Sequence, residues 1–434
     1  PKNRTSSVLA LLLRHHETRR ALDTLGLYGG TDLPERLYGS RSSRAYVARQ
    51  AAQGAAARNT PSTPPLPDCC YATHHGKCSF HHAKERRAML LAPAPGSEDK
   101  EMLRQAAMLT RDLHRPDPLV YWGDCFGSAA IGYAALLGAI ASGSALLTGA
   151  LVLVSILTLY RAVLFIHEIT HLDHRKLPGF RLAWNIGVGA PLMLPSFLYE
   201  GIHAVHHSRV HYGTERDPEY IPLAHMRPWS LPLFTLGALV MPALLLLRFG
   251  ILGPLSWVIP PLRKVIVERF SALEVNPAYH RPAPEGGFAR RWKAQEAAAS
   301  IVAVAIIATT ALGILPLRAF AIYCLVVAGV ALLNQTRTLV AHLWENDGEQ
   351  LSLTDQYRDS TNVPAAFPGV LWAPVGLRFH ALHHLLPRLP YHSLPEAHRR
   401  LAAALPEPSA YPQASYSSLG VLLKRLGRAT LQRH

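Results

Sequence analysis

Long uncharged runs dominate the pattern of polar and apolar positions along the chain. From Cys125 to Ile166 there are 42 residues with one charge, that of Arg161. The tripeptide Ser142–Ser144 interrupts this run near its middle. Because a helix of about 20 residues spans a bilayer, the run predicts two transmembrane helices joined by a short turn.

A second apolar run extends from Ala297 to Leu333 and is broken at Gly313–Arg318, so it predicts a second hairpin. Two further stretches, Leu182–Leu198 and Leu231–Leu247, are apolar but contain proline. Such stretches are typical of re-entrant, in-plane or broken membrane helices. The predicted fold class is an all-α membrane protein with two transmembrane helical hairpins, re-entrant or in-plane helices, and a histidine-rich cap.

Composition supports a membrane location. Hydrophobic residues make up 49% of the 434 positions and charged residues only 17%, whereas about 25% charged residues is ordinary in soluble proteins. The net charge of +15 suits an anionic membrane surface or nucleic acid. Since apolar runs occupy so much of the chain, we expect membrane association and no nucleic-acid partner. The five cysteines are scattered and predict no disulfide framework.

The chain divides into three regions by composition. Residues 1–115 are rich in Arg, Ala, Ser and Pro and carry no sustained hydrophobic period, so this N-terminal region is predicted to be flexible or loosely helical. A membrane domain is predicted over residues 116–404, and residues 405–434 are interpreted as a C-terminal tail.

Histidines are grouped into three short motifs near the ends of the apolar runs. These are HEITHLDH with His167, His171 and His174, HAVHH with His203, His206 and His207, and HALHH with His380, His383 and His384. Helical positions i, i+3 and i+4 share a face, so each motif can direct two or three imidazoles at one point. One histidine is usually a packing or surface residue, but three such motifs predict metal ligands.

The number of imidazoles indicates two metal ions. A single ion accepts about four to six ligands, and the eight histidines that remain when His174 is left out exceed that number. Imidazole suits zinc, copper, iron and nickel, so the ligand type alone leaves the metal open.

Membrane topology gives an independent test of a shared site, because the three motifs must then lie on one side of the bilayer. The hairpin Ala297–Leu333 crosses twice and returns, so the second and third motifs can meet. The segment between Arg263 and Lys293 carries seven Lys and Arg residues, and the turn Gly313–Arg318 carries one. By the positive-inside rule, the motifs are predicted to face the cytoplasm.

The order and spacing of the motifs around two apolar hairpins resemble those of the membrane fatty acid desaturases and their hydroxylase relatives. The resemblance covers about residues 112–404, and the segments DLHRPDPLVYW, YGTERDPEY, RTLVAH and LPYHSLPEAHRRL look like bacterial members. It implies two non-haem iron ions that activate dioxygen and remove hydrogens from an acyl chain. It also implies a further histidine before the third motif, and His342 fits by position, although Thr338 stands where the family has a companion asparagine.

The metal ligands implied by the resemblance are nine histidines. They are His167, His171, His203, His206, His207, His342, His380, His383 and His384. His174 exceeds the family's first motif and is left out of this set. Asp173 and Asp217, which follow the first and second motifs, are expected to orient ligand imidazoles. No H-P-G-G haem-binding signature is present in the sequence, so electrons are expected from a separate protein of the ferredoxin, rubredoxin or cytochrome b5 type. A bacterial inner-membrane location is expected.

The primary functional hypothesis is an acyl-lipid or acyl-thioester desaturase that uses this di-iron centre and O2. A lipid, alkane or carotenoid hydroxylase of the same superfamily is the alternative, since both reactions begin with the same hydrogen abstraction. HEITH also matches the H-E-x-x-H signature, in which His167 and His171 would bind zinc and Glu168 would be the general base of an intramembrane protease. The two other motifs have no role in a protease. A metal transporter would place its ligands at mid-span, whereas these lie at span ends.

Overall fold

The computed structural model describes residues 97–432, and within this range the chain is helical, with isolated β-bridges and no strand. The helices are α1 Ser97–Leu109, α2 Pro118–Ala141, α3 Ala145–Val163, α4 Phe165–His171, α5 Phe180–Trp184, α6 Ile202–His206, α7 Ser230–Leu236, α8 Met241–Leu246, α9 Gly253–Val258, α10 Pro260–Arg269, α11 Gly286–Ala311, α12 Leu317–Leu339, α13 Leu353–Asp359, α14 Gly369–Trp372, α15 His380–Leu385, α16 Leu394–Ala404 and α17 Leu419–Gln432. The predicted all-α class is confirmed.

Short 3₁₀ and π segments extend or join several of these helices. The 3₁₀ segments are Arg111–Leu113, Ser196–Leu198, Leu223–His225, Gly237–Val240, Tyr391–Ser393 and Tyr411–Ala414. The π segments are Asn185–Gly189 and Leu247–Leu252.

The first predicted hairpin corresponds to α2 and α3. Asp117 caps α2 by accepting a hydrogen bond from Leu119 N at 2.9 Å, and proline occupies the first helical position, where no backbone donor is needed. The predicted break falls between the two helices, where Ser142 ends α2 and Ser144 caps α3. Helix α3 then continues almost directly into α4, and the combined span reaches His171.

Helices α11 and α12 occupy the second predicted hairpin, and the break at Gly313–Arg318 lies between them. Gly313 adopts a positive φ of 72° in this turn, where a side chain would be strained. Helix α11 begins at Gly286, eleven positions before the predicted apolar run, because its first turns are polar. The inner face of these turns buries Trp292 and Glu296.

Small residues allow the central helices to approach closely. A Cβ added at Gly132 would lie 2.6 Å from the Leu159 side chain, and one at Gly329 would lie 2.4 Å from Ile156. Helices α2 and α12 therefore contact α3 through glycine, a packing mode common between membrane helices.

A fifth candidate span, Ser230–Val258, was left open by the sequence. Proline and a π segment interrupt it, and the residues on both sides of it reach the histidine-bearing layer. Before it, Ala224 N donates to Trp344 O, and beyond α10, Leu273 N donates to Leu198 O at 2.9 Å. The residues that flank the stretch Ser230–Arg269 thus both contact this layer.

The two ends of the described chain are packed. Helix α1 buries Met102 and Ala106 against a cluster that includes Leu382 of the third motif. Helix α17 buries Leu422 and Leu426 in a cluster with residues that surround the site. Residues 1–96 of the region predicted to be flexible lie outside the described residues, whereas 97–115 and the predicted tail contribute to packed structure.

Candidate metal centre

The three histidine motifs and His342 converge on one end of the helices and form two clusters. One cluster contains His167, His171, His203, His207 and His383, and the other contains His206, His342, His380 and His384. In each cluster, the candidate ligand atoms all lie within 4.8 Å of one another. All nine histidines singled out from the sequence are therefore brought together.

Histidines four residues apart in one helix enter the same cluster, because they share a helical face. His203 and His207 are four residues apart and enter the first cluster, whereas His206 enters the second. In α15 the distribution is reversed, because His380 and His384 enter the second cluster and His383 the first. The second and third motifs thus supply both clusters at once, and the first motif supplies one.

His342 lies outside the motifs, just beyond α12. It forms an isolated bridge with Ser360, which places its imidazole beside α15. Its Nε2 is 3.0 Å from Nε2 of His380. His342, the further histidine that the resemblance implied, is therefore the fourth member of the second cluster.

The spacing of the ring nitrogens fits metal coordination. His203 Nε2 lies 3.0 Å from His207 Nε2, which lies 3.0 Å from His383 Nε2, and His384 Nε2 lies 3.2 Å from His380 Nε2. Two imidazole nitrogens bound about 2.1 Å from one ion, at right angles, lie about 3.0 Å apart. In the described part of the chain, both ring nitrogens of His167 and Nε2 of His171 are buried without a hydrogen-bond partner. Such buried nitrogens are suited to a metal ligand.

Burial favours the neutral imidazole that binds metals. Burial lowers the pKa of His203, His207 and His342 well below the usual value. It lowers the pKa of the three histidines of the third motif in the same way. His206 differs: burial lowers its pKa, but the carboxylates of Asp217, Glu219 and Asp359 together outweigh burial, so the pKa of His206 is raised. A set of neutral, tightly packed imidazoles binds a divalent ion without first releasing many protons.

Two carboxylates and a tyrosine hydroxyl contact the Nδ1 atoms of three imidazoles and so orient the rings. Nδ1 of His203 lies 2.8 Å from Glu219 Oε1, and Nδ1 of His206 lies 2.9 Å from Asp217 Oδ2. The Tyr212 hydroxyl contacts Nδ1 of His342 at 2.8 Å and donates to Asp359 Oδ2. When Nδ1 is held in this way, Nε2 is the nitrogen left for a metal.

The sequence identified only part of this outer layer. Asp217 was predicted to orient a ligand, and it does contact His206. Asp173 was given the same role but is exposed and accepts a bond from Arg175 N instead. Glu219 and Asp359 were not singled out, because nothing in their local sequence shows which histidine they face. His174 is exposed and lies outside both clusters.

Glu168 connects the first motif to a distant segment. Its carboxylate accepts hydrogen bonds from the Tyr121 hydroxyl and from Tyr391 N, and its Oε1 lies 3.5 Å from His167 Nδ1. It is not a member of either cluster. Glu168 is thus tied to α2 and to the segment after the third motif, rather than facing the shared centre.

A cavity of about 170 Å³ leads to the two clusters. Its wall includes one histidine of the first cluster, His167, and three of the second. Much of the rest is lined by apolar side chains, among them Leu194, Met241, Val327 and Val330, and polar side chains line another part. An apolar molecule that enters from the membrane-spanning helices can therefore reach both clusters.

These features define a multi-pass membrane protein with a histidine-rich site suited to two metal ions and an apolar substrate. The fatty acid desaturase family model matches residues 142–416. A ceramide hydroxylase of Caulobacter vibrioides (strain NA1000 / CB15N) is 44% identical over 338 residues, covering 77% of this chain and 96% of the relative. The chain therefore belongs to the fatty acid desaturase family. No solved structure matches it.

Family membership confirms the resemblance noted in the sequence and identifies the chain as an oxidoreductase that acts on lipids. It gives no support to the zinc-protease or transporter alternatives. The position of Glu168, held by Tyr121 and Tyr391, also disagrees with the general base of a protease.

Proposed function

We propose that this protein is a di-iron lipid hydroxylase that acts on ceramide-type lipids. The observation that carries the proposal is the 44% identity to a ceramide hydroxylase over 96% of that protein's length. The two histidine clusters and the apolar cavity beside them are what such a reaction requires. Desaturation of an acyl chain is the second candidate, and the match to the desaturase family model favours it.

The nine histidines are proposed to hold two iron ions, five imidazoles around one and four around the other. Iron with dioxygen supplies the strong oxidant needed to attack an unactivated carbon, which no side chain can provide. The imidazoles would determine where the iron ions lie. Glu219, Asp217 and Asp359 fix the orientations of the imidazole rings. Apolar walls exclude water from the reacting carbon.

Electrons are proposed to come from a separate protein of the ferredoxin, rubredoxin or cytochrome b5 type. Hydroxylation consumes one dioxygen, two electrons and two protons for each C–H bond converted to C–OH, with water as the second product. We also propose a bacterial inner-membrane location with the clusters on the cytoplasmic side, where such donors are reduced. The seven Lys and Arg residues of the segment 263–293, close to this layer, support that orientation.

Oxygen labelling separates the two candidate reactions. Purified protein in lipid nanodiscs is supplied with ceramide, a reducing system and ¹⁸O2. A product hydroxyl that carries one ¹⁸O atom supports hydroxylation. Loss of two hydrogens without a label would establish desaturation and overturn the proposal. A His206→Ala variant, which lacks one ligand, is expected to form neither product.

A further inference from the structure

Two polar side chains that face the cavity have buried atoms with no assigned role. Within residues 97–432, Glu274 Oε2 and Arg337 Nε are buried and make no hydrogen bond. Both residues line the cavity that reaches His206, His342 and His380. A hydrocarbon chain bound there would leave both polar atoms unpaired, and buried polar atoms are costly to leave in that state.

The backbone around Glu274 is held in place on both sides. Leu273 N donates to Leu198 O at 2.9 Å, and Val275 N donates to Pro218 O at 2.8 Å. The amide of Asn276 donates to the carbonyl of Asp217, next to the second histidine motif. Glu274 therefore extends from a rigid segment that is anchored to the same loop that orients the metal ligands.

Two cations near Glu274 also bond to backbone carbonyl groups. Arg269 and Arg281 are the cations close to its carboxyl group, but Arg281 donates to Ser271 O and Glu200 O, and Arg269 to Pro277 O. Burial raises the pKa of Glu274 well above the usual value. Within the described residues, Oε2 of Glu274 makes no hydrogen bond and can accept one from a ligand.

Arg337, the second of the two residues, lies in the last turn of α12. Its Nη2 donates to the Thr338 hydroxyl at 3.2 Å, which leaves Nε available to a ligand. Asn334 and Gln335 also line the cavity one turn earlier in the same helix. The polar part of the wall thus offers both acceptors and donors, whereas Leu194, Met241 and Val330 line the apolar part.

We propose that Glu274 and Arg337 form a polar subsite that hydrogen-bonds the hydroxyl and amide groups of the lipid substrate. The carboxyl group of Glu274 accepts from a hydroxyl or amide N–H, and Arg337 donates to a carbonyl or hydroxyl oxygen. Because these groups line the same small cavity as the histidines, the oxidised carbon lies close to the polar end of the lipid. This inference rests on the proposed function and extends it to a substrate with hydrogen-bonding groups near the reacting carbon.

The subsite predicts selectivity between two classes of lipid. A site built to hydrogen-bond a hydroxyl or amide rejects an analogue that lacks it, and such discrimination reaches about 10⁴-fold in enzymes. A ceramide has both groups. A ceramide analogue in which the head-group hydroxyls are replaced by hydrogen keeps the two chains and loses partners for Glu274.

The test compares both lipids with the wild-type protein, Glu274→Ala and the exposed control Glu285→Ala. Iron content and lipid-induced thermal stabilisation in detergent are measured beside turnover, so that binding is detected without activity. We expect Glu274→Ala to raise the KM for ceramide at least 10-fold, to reduce stabilisation by ceramide, and to leave the KM for the analogue and the iron content unchanged. Glu285→Ala should match the wild type.

Equal effects of Glu274→Ala on both lipids, or no effect on either, would overturn the subsite. If Glu274→Ala proves unstable, Glu274→Leu fills the space of the side chain without an acceptor atom, and the same ratio of KM values decides the matter. Failure of the proposed function has a different signature. In that case the wild-type protein binds iron but does not oxidise ceramide, and stabilisation by ceramide still reports whether Glu274 contacts the lipid.

Discussion

The Asp217 carboxylate lies 2.9 Å from Nδ1 of His206 and is itself fully buried. The same carboxylate accepts hydrogen bonds from Gly213 N and Glu219 N, so its position is fixed by the backbone of the loop after the second motif. This contact turns Nε2 of His206 toward the second cluster. The orientation of one proposed ligand is thus set by a residue eleven positions further along the chain.

Asp217→Asn is expected to reduce iron content and activity by about 10–100-fold, the usual cost of losing a partner behind a metal-bound imidazole. Asparagine keeps the size of the side chain but lacks the charge that holds His206. Iron analysis and turnover measure the effect. The matched control is Asp173→Asn, since Asp173 is exposed beside the first motif. Similar iron content and activity in both variants would show that Asp217 does not orient a ligand.

His342→Ala is expected to remove iron from the second cluster, because it leaves three of four imidazoles there. Iron per chain should fall from about two toward one, with loss of activity. His280→Ala serves as the control, because His280 belongs to neither cluster. Normal iron content in the His342→Ala protein would exclude this residue from the ligand set.

Glu168→Gln is expected to retain measurable activity, whereas His171→Ala and His206→Ala retain none. Glutamine can still accept the hydrogen bonds from Tyr121 and Tyr391, and abstraction of hydrogen by an oxygen-derived oxidant needs no carboxylate base. Any loss should stay within about 10–100-fold. A Glu168→Gln protein that is inactive with full metal content, together with an active His206→Ala protein, would instead support zinc hydrolysis.

Glu296→Ala is expected to destabilise the protein by about 3–5 kcal/mol, because it leaves two arginines uncompensated. Glu296 is fully buried in α11 and accepts from Arg248 Nη2 at 2.6 Å and Arg263 Nη1 at 2.7 Å. Thermal denaturation in detergent measures the effect. Glu101→Gln, which affects an exposed ion pair with Arg104, should leave the denaturation midpoint unchanged. An unchanged midpoint for Glu296→Ala would show that the buried network contributes no stability.

The sequence by itself determined the class of fold and the identity of the nine candidate ligands. Uncharged runs with turn residues in their middle specify membrane helices locally, since the bilayer requires every backbone group to be paired within the segment. The i, i+3 and i+4 spacing of the motifs is also local, because it follows from the pitch of one helix. His342 needed the family pattern as well, since it stands alone in the sequence.

Only the tertiary structure decided how these residues are divided and supported. His206 enters one cluster while its neighbour His207 enters the other, and this depends on where α15 approaches α6. Glu219 contacts His203, and Asp359 reaches His342 through the Tyr212 hydroxyl. Glu274 lines the cavity, and all three positions depend on contacts between segments that are separated in the chain. Local periodicity specifies which face a residue occupies. The partner opposite that face is set by helix packing, which depends on all the packed segments together.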